Sequence, residues 1–366
     1  MQIEFFHTHI SSNAQKNVLE LLNSTLLSEG KVVQDFERQL ESQLQINHVV
    51  TVNSGTTALH LALLLAGIKD GDEVIIPSQT FIATGLAVLM VKATPIFADI
   101  NYKTGNICTT DIRAKITHKT KAIIPVHWAG YPCDMDEIFS IAKEFNLKII
   151  EDAAHALGAW YKNKPIGTIS DFTCFSFQAI KHITTGDGGA VVCKCKESYH
   201  EARKLRWFGI DRANSPMSII GEREYDLDRI GYKYHLNNYA AALGNANLED
   251  LNFILSARTN VAKRYTSAFS SFPGIELLDY KVENKCAWWL YTFKVEQREK
   301  FIRKLQSKGI PASVVHIGIH KNKIFDNKFV LKSQNLFDQN QISIPLHSGL
   351  TDEMVDHIIK TIKEGW

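Results

Sequence analysis

His48-Val49-Val50-Thr51-Val52-Asn53-Ser54-Gly55-Thr56-Thr57-Ala58-Leu59 changes its periodicity in mid-run. Residues 48–52 read as a buried strand, because β-branched apolar residues follow one another without a break. Asn53-Ser54-Gly55-Thr56 is turn chemistry, and from Thr57 a helical pattern carries apolar residues through Leu65. The pattern then repeats outward. Residues 73–77 predict a second strand and 80–91 a second helix. Further strands are predicted at 94–99, 121–127 and 148–152, with an amphipathic helix over 135–145. Strands alternating with helices predict an α/β fold, with a mostly parallel central sheet covered on both faces.

Beyond Gly244 the alternation stops. Residues 248–267 predict one long helix, 287–295 a strand and 352–363 a helix. The expected organisation is an N-terminal arm and helix over 1–30, a large domain over 31–245 and a smaller C-terminal α+β domain over 246–366.

Ligands of such sheets bind beyond the C-terminal ends of the strands, so the polar residues there are the candidates. Gly55 and Thr56 open a helix, where free amides and the helix dipole suit a phosphate; a plain helix cap has the same sequence. Asp152 ends an apolar strand. A carboxylate there pairs with a buried cation, such as a protonated pyridine nitrogen, or simply caps the next helix. Phe81 lies just past a strand end, placed either to cover a planar ligand or to pack the core. Lys181 sits in Phe175-Ser176-Phe177-Gln178-Ala179-Ile180-Lys181-His182-Ile183-Thr184-Thr185-Gly186-Asp187-Gly188-Gly189, between two apolar runs that read as strands. Partial desolvation lowers the proton affinity of such an amine, and a neutral amine attacks an aldehyde. A surface lysine in a hairpin loop would look alike. Taken together, a phosphate cradle with Ser176, a ring-nitrogen partner, a stacking aromatic and a Schiff-base lysine occur in a workable order.

Composition narrows the class. The chain has 366 residues, 45% of them hydrophobic, enough for a large core. With 41 basic and 39 acidic residues and no basic block, a nucleic-acid surface has no support. Six cysteines form one close pair, Cys193 and Cys195, expected on one strand face. Buried thiols in a reducing compartment are the plain reading, and no metal site is expected. The start, Met1-Gln2-Ile3-Glu4, lacks a signal-peptide pattern. The apolar run 59–68 contains His60 and falls short of the ~20 residues a bilayer requires. A cytoplasmic protein without a membrane segment is expected. No Gly-x-Gly-x-x-Gly or Walker-type loop follows a strand.

The chain closely resembles the DegT family of sugar-nucleotide aminotransferases, over nearly its whole length. The resemblance rests on Leu27-Ser28-Glu29-Gly30, Asn53-Ser54-Gly55-Thr56-Thr57-Ala58-Leu59, Pro77-Ser78-Gln79-Thr80-Phe81, Glu151-Asp152-Ala153-Ala154-His155-Ala156-Leu157-Gly158-Ala159, the Lys181 segment, Gly231-Tyr232-Lys233-Tyr234-His235-Leu236 and Ile344-Pro345-Leu346-His347. It implies the three-layer type I fold of pyridoxal 5'-phosphate enzymes. Lys181 would bind that cofactor as a Schiff base and move protons, and Asp152 would bind the ring nitrogen. Gly55, Thr56 and Ser176 would hold the phosphate, Phe81 would stack on the ring, and His155 would lie near the phenolic oxygen. Lys233, where many members carry Asn, would reach the partner's active site in a homodimer with shared sites. The implied reaction moves an amino group from L-glutamate to a nucleotide-linked keto-sugar, commonly for surface polysaccharide or glycoprotein decoration. The loop after Lys181 resembles that of members acting on 4-keto-6-deoxy sugars. Amination at C3, or of a cyclitol ketone, is the alternative within the fold. A non-catalytic regulatory protein is the alternative outside it; dehydratase relatives carry His in place of Lys181.

Overall fold

The sheet residues divide strand by strand between two cores. The central strands are β1 (Val49–Val52), β2 (Glu73–Pro77), β3 (Thr94–Ala98), β4 (Thr120–Ile123) and β5 (Lys148–Asp152). A short hairpin, β6 (Trp160–Tyr161) and β7 (Lys164–Pro165), precedes β8 (Phe172–Ser176) and β9 (Gly189–Cys193). Val49, Ile75, Ile149 and Phe175 enter one core, and Val50, Val74, Ile76, Ile150 and Cys174 the other. Alternate side chains of a strand point to opposite faces, so a sheet buried on both sides needs continuous apolar runs. The computed structural model describes residues 2–212, 214–325 and 329–366.

The strand order is β1-β9-β8-β5-β4-β2-β3. The pairs from β8 through β3 are parallel, and β9 runs antiparallel to both β1 and β8. Helices follow in the order α1 (Ala14–Ser24), α2 (Lys31–Leu44), α3 (Gly55–Leu65), α4 (Ile82–Met90), α5 (Thr109–Lys115), α6 (Met135–Phe145), α7 (Lys196–Leu205), α8 (Asn238–Glu249) and α9 (Leu251–Phe269). Helices α2, α6 and α8 fill the first core; α3, α4 and α7 fill the second. In α2 the apolar spacing Val33, Phe36, Leu40, Leu44 forms one buried stripe. Truncating Leu40, which is 1% exposed, to Ala would cost about 2–5 kcal/mol. The expected three-layer α/β architecture is the one observed.

A third core gathers the C-terminal half of α9 with β11 (Tyr291–Val295), β12 (Gln341–Ile344), α10 (Arg298–Ser307) and α12 (Asp352–Lys363). Strand β10 (Ile275–Leu277) completes its three-stranded sheet, and α11 (Lys332–Asn340) packs between this unit and the large sheet's edge. Helix α9 serves two cores, with Leu251, Ile254 and Leu255 in the first and Tyr265 and Phe269 in the third.

Three expectations need correction. The single helix over 248–267 is two, broken at Asp250, whose ψ of 3° leaves the helical range. The apolar spacing of Leu248, Leu251 and Leu255 runs through the break and hides it. The strand expected from 287 begins only at Tyr291, because Trp288 has a positive φ of 53°. Cys193 and Cys195 do not share a strand face: β9 ends at Cys193, which is buried, while Cys195 is exposed at the start of α7.

Candidate active site

Beyond the C-terminal ends of β1, β5 and β8 lies a cavity of about 440 Å³, lined by Gly55, Thr56, Phe81, Thr84, Asp152, His155, Ser176, Lys181, Trp289 and His316 among others. A hollow of about 700 Å³ beside α1 and α8 is larger. Chemistry decides between them, because the smaller one sets an amine opposite a buried carboxylate.

Asp152 is the last residue of β5 and is 5% exposed. Its backbone is fixed from both sides, its N–H donating to the Pro125 carbonyl at 2.9 Å and its own carbonyl accepting from the His127 N–H at 3.2 Å. Thr84 Oγ1 donates to its carboxylate at 2.7 Å and the Ala154 N–H at 3.2 Å. Burial pushes the Asp152 carboxyl up, while these two donors and Lys181 pull it down. No cation lies within 4.0 Å of it among the described residues.

Lys181 stands in the loop between β8 and β9. The loop is closed by Phe177 N–H to Gly188 O at 2.8 Å and Thr185 N–H to Phe177 O at 3.0 Å. Its Nζ lies 3.8 Å from the centroid of the Trp289 ring. Burial pushes the Lys181 ammonium down to about 7, against a smaller upward pull from Asp152. His182, the neighbour that the sequence left without a role, is buried and bonds through Nε2 to the Ala287 carbonyl at 2.8 Å. It ties the lysine loop to the segment carrying Trp289, whose Nε1 donates to Ile180 O at 3.0 Å.

The cradle is built by a helix start and a close approach. Ser54 caps α3, its hydroxyl accepting from the Thr57 N–H at 3.1 Å. The amides of Gly55 and Thr56, in the first turn, have no intrahelical partner. A Cβ on Gly55 would meet Ser176 Cβ at 2.9 Å, so only glycine lets α3 come this close to Ser176 at the end of β8. His155 is buried and stacks on Trp289, with centroids 3.7 Å apart and planes 14° apart. Its Nδ1 has no partner among the described residues. Burial and Lys181 hold its proton affinity well below the usual value.

The cavity thus gathers Gly55, Thr56, Phe81, Asp152, His155, Ser176 and Lys181. Lys233 is elsewhere, bridged by its backbone to Trp207 with Nζ 5.8 Å from that ring. The family resemblance also implies sugar and nucleotide contacts on the loops 206–225 and 316–323, with Trp207, Arg212 and His320 as candidates, and these three are not among the lining. His320 is engaged with Ser78 Oγ at 2.6 Å, and Arg212 lies over Trp207 at 4.6 Å. Trp289 had no role in the sequence reading, and His316 entered it only as the first residue of the 316–323 loop. The one available signal was the adjacent pair Trp288-Trp289, since neighbouring large rings on one chain cannot both face the same core.

The fit to pyridoxal phosphate is chemical. An unpaired buried carboxylate matches a protonated ring nitrogen, an amide cradle matches a phosphate, and an unpartnered His155 nitrogen matches an oxygen. Fold and site define a pyridoxal-phosphate-dependent aminotransferase. The chain belongs to the DegT/DnrJ/EryC1/StrS aminotransferase family, whose profile matches residues 8–363. It is 36% identical to GDP-perosamine synthase of Escherichia coli O157:H7, over 99% of this chain and 98% of that one. Among solved structures it resembles the sugar aminotransferase CalS13 from Micromonospora echinospora, with a TM-score of 0.95, 31% identity and full coverage of both chains. The PLP form of the putative sugar aminotransferase Spr1654 from Streptococcus pneumoniae matches with a TM-score of 0.91 and 33% identity, over 100% of this chain and 98% of that one. Among the described residues no helix is long and apolar enough to cross a membrane.

Proposed function

We propose that this protein transfers the amino group of L-glutamate to a nucleotide-linked keto-sugar, a 4-keto-6-deoxyhexose. The observation that carries the reading is the buried Lys181 amine, whose ammonium burial pushes down to about 7, facing Asp152 across a cavity with a phosphate cradle. The relative's name, GDP-perosamine synthase, supports a nucleotide-linked amino sugar as product.

Pyridoxal phosphate, when bound, supplies an electron sink that acidifies the carbon bearing the nitrogen. The chain's residues do the rest. Lys181 would hold the cofactor between turnovers and, when free, would take a proton from one carbon and return it to another, a task suited to an amine with proton affinity near working pH. Asp152, clamped by Thr84 and Ala154, would pair with the ring nitrogen. Gly55, Thr56 and Ser176 would hold the phosphate. Phe81, half exposed at the mouth, would cover the ring, and His155 Nδ1 would bond the phenolic oxygen. Both substrates use one cavity in turn, which gives ping-pong kinetics. Lys233 lies outside its own chain's cavity and serves the site of a second copy in a homodimer.

Incubation with isotopically labelled glutamate and a GDP- or dTDP-linked 4-keto-6-deoxyhexose tests the reading. Labelled nitrogen in the sugar product, seen by mass spectrometry, is the expected result. Transfer only to a 3-keto sugar would overturn the C4 assignment.

A further inference from the structure

Val315 is β-branched and stands at φ 58°, where branched L side chains are strained. The His316 N–H closes a three-residue turn over it, on the Val314 carbonyl at 2.7 Å. A γ-turn with positive φ at its centre is a rare conformation. Such strain persists only where the surroundings over-determine it, and it marks functional positions.

The surroundings here are three buried glutamines. The His316 carbonyl accepts from Gln341 Nε2 at 2.9 Å and Gln79 Nε2 at 3.2 Å. Gln79 Oε1 in turn accepts from Gln334 Nε2 at 2.6 Å and Gln341 Nε2 at 3.3 Å. Gln79 follows β2, Gln334 lies on α11 and Gln341 opens β12, so the lock joins the large sheet to the C-terminal unit. Buried amides are kept where a fixed geometry is required, since each unpaired one is costly.

What the lock presents is the His316 ring. It lines the cavity with Phe81, His155 and Trp289, its centroid 5.4 Å, 6.1 Å and 6.2 Å from theirs. Burial and Lys181 push the His316 ring down to about 4, so it is neutral at working pH. A neutral imidazole offers one donor and one acceptor and no charge. It complements a hydroxyl, whereas the carboxylates of glutamate call for cations. We propose that His316 is a specificity-determining residue that hydrogen-bonds a ring hydroxyl of the keto-sugar, held by Gln79, Gln334 and Gln341 as positioning residues. This rests on the proposed function above.

The test is calorimetric, on cofactor-loaded enzyme without amino donor, with two probe pairs. These are a GDP-linked 4-keto-6-deoxyhexose against free GDP, and the dTDP-linked sugar against free dTDP. His316→Phe keeps the ring stack and removes the hydrogen bond. It should weaken the sugar nucleotide about tenfold while leaving the free nucleotide unchanged, the loss typical of one hydrogen bond. His316→Gln, which keeps a donor and an acceptor, should recover part of the loss. The response of the cofactor band to glutamate should stay within about twofold in both variants. Equal weakening of sugar nucleotide and free nucleotide, no weakening at all, or an equal loss toward glutamate would each overturn the proposal. Failure of the unsubstituted enzyme to bind either keto-sugar would sink the underlying function and this inference with it. That failure is recognisable because it precedes any substitution.

Discussion

The two walls of the cavity are made differently. One is the end of the large sheet, where Asp152 and Ser176 end strands, Gly55 opens a helix, and Lys181 stands in a loop closed by backbone hydrogen bonds. The other is C-terminal, where Trp289 and His316 sit on irregular chain, each directly after a residue of positive φ, Trp288 at 53° and Val315 at 58°. The first wall carries reactive groups on or beside regular structure, fixed through backbone pairing. The second carries neutral rings, fixed by side-chain locks and local strain. In this account chemistry belongs to the first wall and substrate choice to the second.

The largest effect should come from the first wall. Lys181→Ala should abolish turnover, a loss of at least ~10⁵-fold, because among the described residues no other amine lines the cavity. Retained turnover would remove the lysine from its role. Asp152→Asn should cut turnover by ~10²–10⁴-fold, since a neutral amide does not hold a protonated ring nitrogen. Steady-state rates at saturating substrate would show it, and a near-normal rate would break the division between the walls.

A third substitution couples the walls. In cofactor-free protein, labelling of Lys181 by an amine-directed reagent should be half-maximal near pH 7. Below that the amine is protonated and unreactive; above it the neutral amine reacts at a plateau. Trp289→Ala admits water beside the amine, and the midpoint should move up toward the ordinary lysine range, because burial is the main cause of the depression. It should also cost about 3–5 kcal/mol in denaturant unfolding. An unmoved midpoint would mean that Trp289 does not govern the lysine.

The smallest effect concerns strain. Val315→Gly should change stability by less than about 1 kcal/mol, since relief at positive φ offsets the added freedom of the unfolded chain. Val314→Gly, without that relief, should cost about 1–2 kcal/mol. Equal costs would mean that Val315 is unstrained.

The legibility of the sequence follows the same division. Strand ends could be found because the apolar period breaks there, so Asp152, Ser176 and the Gly55 turn stood out before any coordinates. Their chain order also matched a workable site. The second wall was read only in part, as a 316–323 loop expected to carry sugar or nucleotide contacts. His316 depends on Gln79 and Gln341, which are 262 residues apart, and nothing local to Val315 declares its φ. Trp289 read as a strand residue, because Ala287 to Val295 is apolar and the turn at Trp288 leaves no Gly or Pro as a sign. The break at Asp250 was hidden for a similar reason, since the apolar spacing continues through it. Position 182 carried no local signal either; its partner, the Ala287 carbonyl, is 105 residues away.

The central claim is that Lys181 and Asp152 together run pyridoxal-phosphate amino transfer in this cavity. An absorption spectrum of the purified enzyme before and after glutamate tests it most directly. The account predicts a band near ~420 nm that glutamate converts to one near ~330 nm, and that the right keto-sugar restores. A protein showing no such band after addition of pyridoxal phosphate, or a band indifferent to glutamate, would contradict it.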